Sequence, residues 1–136
     1  MFKRLSFIAL TVSIFTGCSD PKAQENALLD TVKQAHDKVM ADDGNIMKNK
    51  MQLKSLVAST VPGVKDSAGR YSKMLDSADN VMMGWMNKFN PDFTGKSHDE
   101  IMKYLTKQRQ QVLKIDSGLK IVVASSGNFI AKNKDK

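Results

Sequence analysis

The sequence predicts an all-α fold, an up-down-up bundle of three helices, and three observations carry that expectation. Apolar residues recur at three- and four-residue steps across most of the span 27–131. No apolar run alternates at period two for long enough to argue a sheet. Two clusters of breakers, Val61-Pro62-Gly63 and Asn90-Pro91-Asp92-Phe93-Thr94-Gly95, divide the pattern into three stretches joined by short connections.

The first stretch starts near Ala27. Val32, Val39, Ile46 and Leu53 keep strict sevens, with Leu28, Leu29, Ala35 and Val57 beside them. Asp42-Asp43-Gly44-Asn45 is a weak point, but the sevens pass through it in phase, so the reading is one helix closed by Val61-Pro62-Gly63. The second runs from about Asp66 to Phe89. Tyr71, Met74, Leu75, Ala78, Val81, Met82, Trp85 and Phe89 form its apolar face, with Trp85 as core anchor. Ser97 and Glu100 are spaced as a capping box for the third helix, and Asp99 adds negative charge beside its positive end. That helix carries Ile101, Leu105, Val112, Ile115, Leu119 and Val122, and is expected to fray near Ser125-Ser126-Gly127.

The N-terminus reads as an address. Lys3 and Arg4 precede eleven uncharged residues from Leu5 to Phe15, a basic region and an apolar region too short to span a bilayer stably. Phe15-Thr16-Gly17-Cys18 then resembles a bacterial lipobox, in which the Cys thiol is acylated and the leader removed. Cys18 is the only cysteine, which excludes a disulfide framework and a Cys-based zinc site. The expected organisation is a signal peptide over 1–17, an acylated Cys with a polar tether over 18–26, the bundle over 27–131 and a basic tail over 132–136. With Ser19 after the Cys and Asp20 only second, the enteric sorting convention leans towards the outer membrane, facing the periplasm.

The order of lipobox, Ala-Leu-Leu-Asp, His36-Asp37-Lys38-Val39-Met40, Met83-Gly84-Trp85-Met86, Asn90-Pro91-Asp92-Phe93 and Tyr104-Leu105 resembles a family of small helical envelope lipoproteins. These often carry the label "viral A-type inclusion protein", read here as a mark of helical composition. The resemblance implies a helical lipoprotein along nearly the whole chain. It implies no activity and no site residues.

Chemistry is sparse. There is no G-x-S-x-G, H-E-x-x-H or G-x-x-x-x-G-K-[ST] pattern, and Asp42-Asp43-Gly44 lacks the alternating ligands of a calcium loop. The expectation is a protein that is not an enzyme, holds no cofactor, and acts as a structural or interaction module. Nine methionines are many for 136 residues. His36, Met40, Met47 and Met51 fall on one helical stripe. Thioether and imidazole donors suit copper as Cu(I), which gives an alternative function, although Met is also a flexible core filler and core packing is the expected use. His98 and Met102 repeat the spacing on the third helix, with His98 expected to be solvated.

The net charge of +7 is unevenly spread. Residues 19–100 are close to neutral, whereas 101–136 hold eight lysines and arginines against two acids. Lys103, Lys107 and Lys114 share one side and would be drawn to anionic head groups. Export argues against nucleic acid as a partner and favours the membrane, reached through the N-terminal lipid, or an envelope protein.

Overall fold

The computed structural model describes residues 20–134, and the signal-peptide reading, Cys18 included, lies outside them. Four helices follow in order: α1 (Pro21–Ala41), α2 (Asp43–Val57), α3 (Pro62–Met86) and α4 (His98–Asn133). No strand occurs among the described residues. α1 and α2 together make the first arm of a three-arm bundle, α3 the second and α4 the third. Glu25 pairs with His98 and Lys38 with Asp116, so the first arm runs parallel to α4. Trp85 bonds to Gln108 and Tyr71 packs on Phe129, so α3 runs antiparallel to α4.

The first helix starts six residues before Ala27. Pro21 occupies its first position, where the missing N–H costs nothing, and Asp20 caps it by accepting from the Lys22 N–H at 2.9 Å. Residues 21–26 of the stretch read as tether are therefore helical. Its buried member is Glu25, whose side chain reaches His98 at 3.0 Å and Lys22 at 3.3 Å. His98, expected to be wet, is half-buried in this contact.

The single helix read through Asp42 is two helices, broken by one residue. Asp42 keeps near-helical angles, φ −83° and ψ −5°. Its N–H bonds to the Val39 carbonyl at 3.0 Å and its carbonyl takes the Asn45 N–H at 3.0 Å. Both are three-residue closures, so the turn tightens without losing phase. Val39 and Ile46 on either side therefore both stay buried, and the line Val32, Val39, Ile46, Leu53 is continuous in the core. The other arms carry matching lines: Ala68, Leu75 and Met82 on α3; Leu105, Val112, Leu119 and Ser126 on α4. Strict sevens on all three arms give the shallow left-handed packing of bundles.

Val61-Pro62-Gly63 starts a helix, because Pro62 is the first residue of α3 rather than the stop of what precedes it. The connection from α3 to α4 is tied down by its own polar groups. The Asn90 N–H donates to the Tyr104 hydroxyl at 2.9 Å, Asp92 accepts from the Thr94 N–H at 3.0 Å, and Gly95 takes a positive φ of 77° that other residues avoid. The capping box forms as spaced: Ser97 and Glu100 each accept from the other's backbone. α4 then continues to Asn133 without fraying at Ser125–Gly127, and Lys132 belongs to it rather than to a tail.

Candidate functional site

α3 and α4 leave an open groove between them, with a cavity of about 1000 Å³. Its origin is a surplus of apolar face on α3. Leu75 and Met82 turn into the core, whereas Met74 and Val81, on the flank towards α4, are 46% and 54% exposed. Both were expected to pack inside with Trp85. Two helices cannot cover an apolar face this wide, and the remainder lines the groove. α4 contributes Ile115, Leu119 and Val122 to the opposite wall.

Trp85 stands at one end of it and is buried, as its place on the apolar face predicted. Its indole N–H donates to Gln108 Oε1 at 2.8 Å, and its ring stacks on Phe89 with centroids 5.0 Å apart. Phe89 in turn stacks on Tyr104. The His36 ring lies 5.9 Å from Trp85 on the side of α1. Of these rings only Trp85 lines the groove; the others pack behind it.

The rim is cationic. Lys88, Lys107 and Lys114 line the groove, no acid does, and none of the three has an ion-pair partner among the described residues. Lys107 and Lys114, seven residues and roughly 10 Å apart along α4, were expected to share a basic face. Lys103 is exposed but does not line the groove. Lys88, from the turn that follows α3, takes its place. No sequence signal joined Lys88 to the others, because they meet only through the antiparallel pairing of two helices.

The methionine stripe is not core. Met40, Met47 and Met51 are 39%, 52% and 68% exposed. The α2 core line instead runs through Ile46, Asn49, Leu53 and Leu56, which turns Met47 and Met51 to the outside. His36 Nδ1 lies 3.0 Å from Asp37 Oδ1, which accepts its N–H. No group of three or more His, Cys, Asp or Glu side chains that would hold a metal ion occurs among the described residues.

Three carboxyls are held below their ordinary range by hydrogen bonds. His98 does this chiefly for Glu25, the Thr94 backbone for Asp92 and the Ser97 backbone for Glu100. In the opposite sense, the Asp116 carboxylate raises Lys120 and the Asp76 carboxylate raises Lys50. All lie in structural contacts away from the groove. No helix among the described residues is long and apolar enough to cross a membrane. Comparison with known protein families, with curated proteins and with solved structures gave no match.

Proposed function

We propose that this chain is a lipid-anchored, non-enzymatic envelope protein, in which an acylated Cys18 holds a helical rod at a membrane surface as a structural or interaction module. The outer membrane, on its periplasmic side, is the location that Ser19 and Asp20 favour. The observation that carries this reading is the basic-apolar leader ending in Phe15-Thr16-Gly17-Cys18. It is supported by the start of α1 at Pro21, three residues after that cysteine, which would set the rod close against the bilayer. Two or three acyl chains, at about 0.8 kcal/mol per buried methylene, exceed the marginal hold of one myristoyl group. The resemblance to helical envelope lipoproteins points the same way. The test is palmitate labelling of growing cells. The parent should be labelled and sediment with membranes, and Cys18→Ser should lose the label and accumulate as an uncleaved precursor. Continued labelling of Cys18→Ser sinks the reading.

Copper binding through His36, Met40, Met47 and Met51 is the competing reading. It is favoured by the exposure of the three thioethers, which leaves their sulfurs open to an ion. Titration with Cu(I) under reducing conditions separates the two. Tight one-to-one binding that vanishes in the Met47→Leu, Met51→Leu double variant would make this a metal-handling protein.

A further inference from the structure

We propose that the groove between α3 and α4 binds a single-chain anionic lipid, its head group between Lys88 and Lys107 and its acyl chain running towards Met74 and Val122. This is a second lipid, held non-covalently, and the proposal stands whether or not Cys18 is acylated.

The groove is graded along its length. The Trp85–Gln108 hydrogen bond and the Tyr71–Phe129 packing fix α3 antiparallel to α4. Lys88 and Lys107 therefore come together at the end near the α3–α4 connection, with Lys114 next along. Met74, Ala78, Gly118 and Val122 occupy the other end. Lys88 and Lys107, with Lys114 at mid-length, have no ion-pair partner among the described residues, and with no acid in the lining they give the first end a positive field that an anion would satisfy. The second end carries no cation; Ser77 and Asn80 are its polar members, and Met74, Ala78 and Val122 offer surface to hydrocarbon.

Size and wall texture select an acyl chain. From Lys107 to Val122, α4 rises roughly 22 Å. The acyl layer of one bilayer leaflet is about 15 Å, half the hydrocarbon core, so a single chain and its head group fit end to end. A volume of about 1000 Å³ lies at the upper end of small-ligand pockets. Gly84 and Gly118 sit within helices, where glycine is unfavourable, yet a Cβ at either would meet nothing within 4 Å. They keep the walls low, and flexible Met74 lets one wall adapt to a chain without fixed shape.

Trp85 is the only tryptophan in the chain and lines the groove, so its fluorescence reports occupancy. The experiment uses the full chain isolated from cells, in phosphatidylcholine nanodiscs if it sediments with membranes and in buffer if it does not, titrated with stearate brominated at mid-chain. Saturable quenching is expected, and the equally brominated octadecanol, which lacks the charge, should bind roughly tenfold more weakly. Changing Lys88, Lys107 and Lys114 together to Gln should erase that preference. Gly118→Leu should set a side chain across the path of the acyl chain and abolish saturable quenching while leaving the circular dichroism and melting curve intact. Three results overturn the proposal: quenching that persists in Gly118→Leu, which would mean that bromine reaches Trp85 from the bilayer; equal binding of acid and alcohol by the parent; or no saturable quenching. In the last case, a parent that is dimeric where Gly118→Leu is monomeric would assign the groove to a second copy of the chain.

Discussion

Asn49 on α2 donates from Nδ2 to the Ser126 hydroxyl on α4 at 2.9 Å, and the same nitrogen reaches the Val123 carbonyl at 2.9 Å. Ser126 is fully buried on the heptad line of α4, and its own hydroxyl donates to the Val123 carbonyl at 3.0 Å. A Cβ at Gly127 would stand 3.6 Å from the Asn49 amide, an ordinary contact distance, so the two helices lie close here without requiring a glycine. A polar contact of this kind in an apolar seam fixes which residues face each other, because a slip along either helix would bury the Asn49 amide without its partners.

Asn49→Ala should therefore destabilise the bundle by about 1–3 kcal/mol, since Ser126 loses its donor and a gap opens beside it. Ser126→Ala should cost less, because Asn49 keeps the Val123 carbonyl. Urea denaturation followed by circular dichroism measures both. Equal or negligible losses would mean that the pair does not set the register.

The Trp85 side chain combines burial, ring stacking and a hydrogen bond. Trp85→Ala should cost about 3–5 kcal/mol. Trp85→Phe should keep the stack on Phe89, lose the bond to Gln108 and fall well short of that. An unchanged melting temperature for Trp85→Ala would place the indole outside the cooperative core.

Exposure orders the methionines towards oxidation. Met51 and Met47 lie open while Met82 is 3% exposed, so dilute peroxide should convert the first two to sulfoxide well before the third. Peptide mass spectrometry over a time course reads the order. For the same reason, Met47→Leu with Met51→Leu should change stability by no more than about 0.5 kcal/mol per site. Preferential oxidation of Met82 would contradict this packing.

The contact between Glu25 and His98 gives an acid-side signature. Glu25 is held below its ordinary 4.5, first by the hydrogen bond from His98 and then by Lys22, against the opposing effect of burial. A depressed carboxyl stabilises the fold in full above its unfolded value, and that contribution is lost as pH falls through the lower folded value. Glu25→Gln should thus melt lower than the parent at neutral pH, and the gap should narrow as pH drops below about 4.5. Asp92 and Glu100 act in the same range, so the variant should retain part of the acid slope. A gap that stays constant down to pH 3 would show that Glu25 is not carrying this effect.

The heptad line of the first arm was legible in the sequence because period and phase survive translation into structure: Val32, Val39, Ile46 and Leu53 are buried as spaced. The Ser97–Glu100 box was legible for a similar reason, as its chemistry is local. What failed was the sign of local composition. Pro21 and Pro62 open helices, and the Ser-Ser-Gly stretch at 125–127 is a close interhelical approach, which only the position of Asn49 on another helix explains. The surplus width of the α3 face was visible in Met74 and Val81, but its meaning depended on how little of it α4 could cover. Lys88 joined Lys107 only through tertiary pairing, so that half of the rim had no signature in the chain.

The break at Asp42 has a mechanical consequence. α1 lies along α4 and meets α2 only through that one-residue turn, while α2 is seated against both α3 and α4. A load entering at Asp20 therefore passes first into the seam between two parallel helices. Pulled lengthwise, that seam is sheared, so Val32, Val39 and the Glu25–His98 contact resist together. Pulled sideways, the same contacts open one after another from Glu25 upward, and the turn at Asp42 is where the tear would stop. The first arm would act as a fuse, yielding in its lower half while the α2–α3–α4 body above it stays closed.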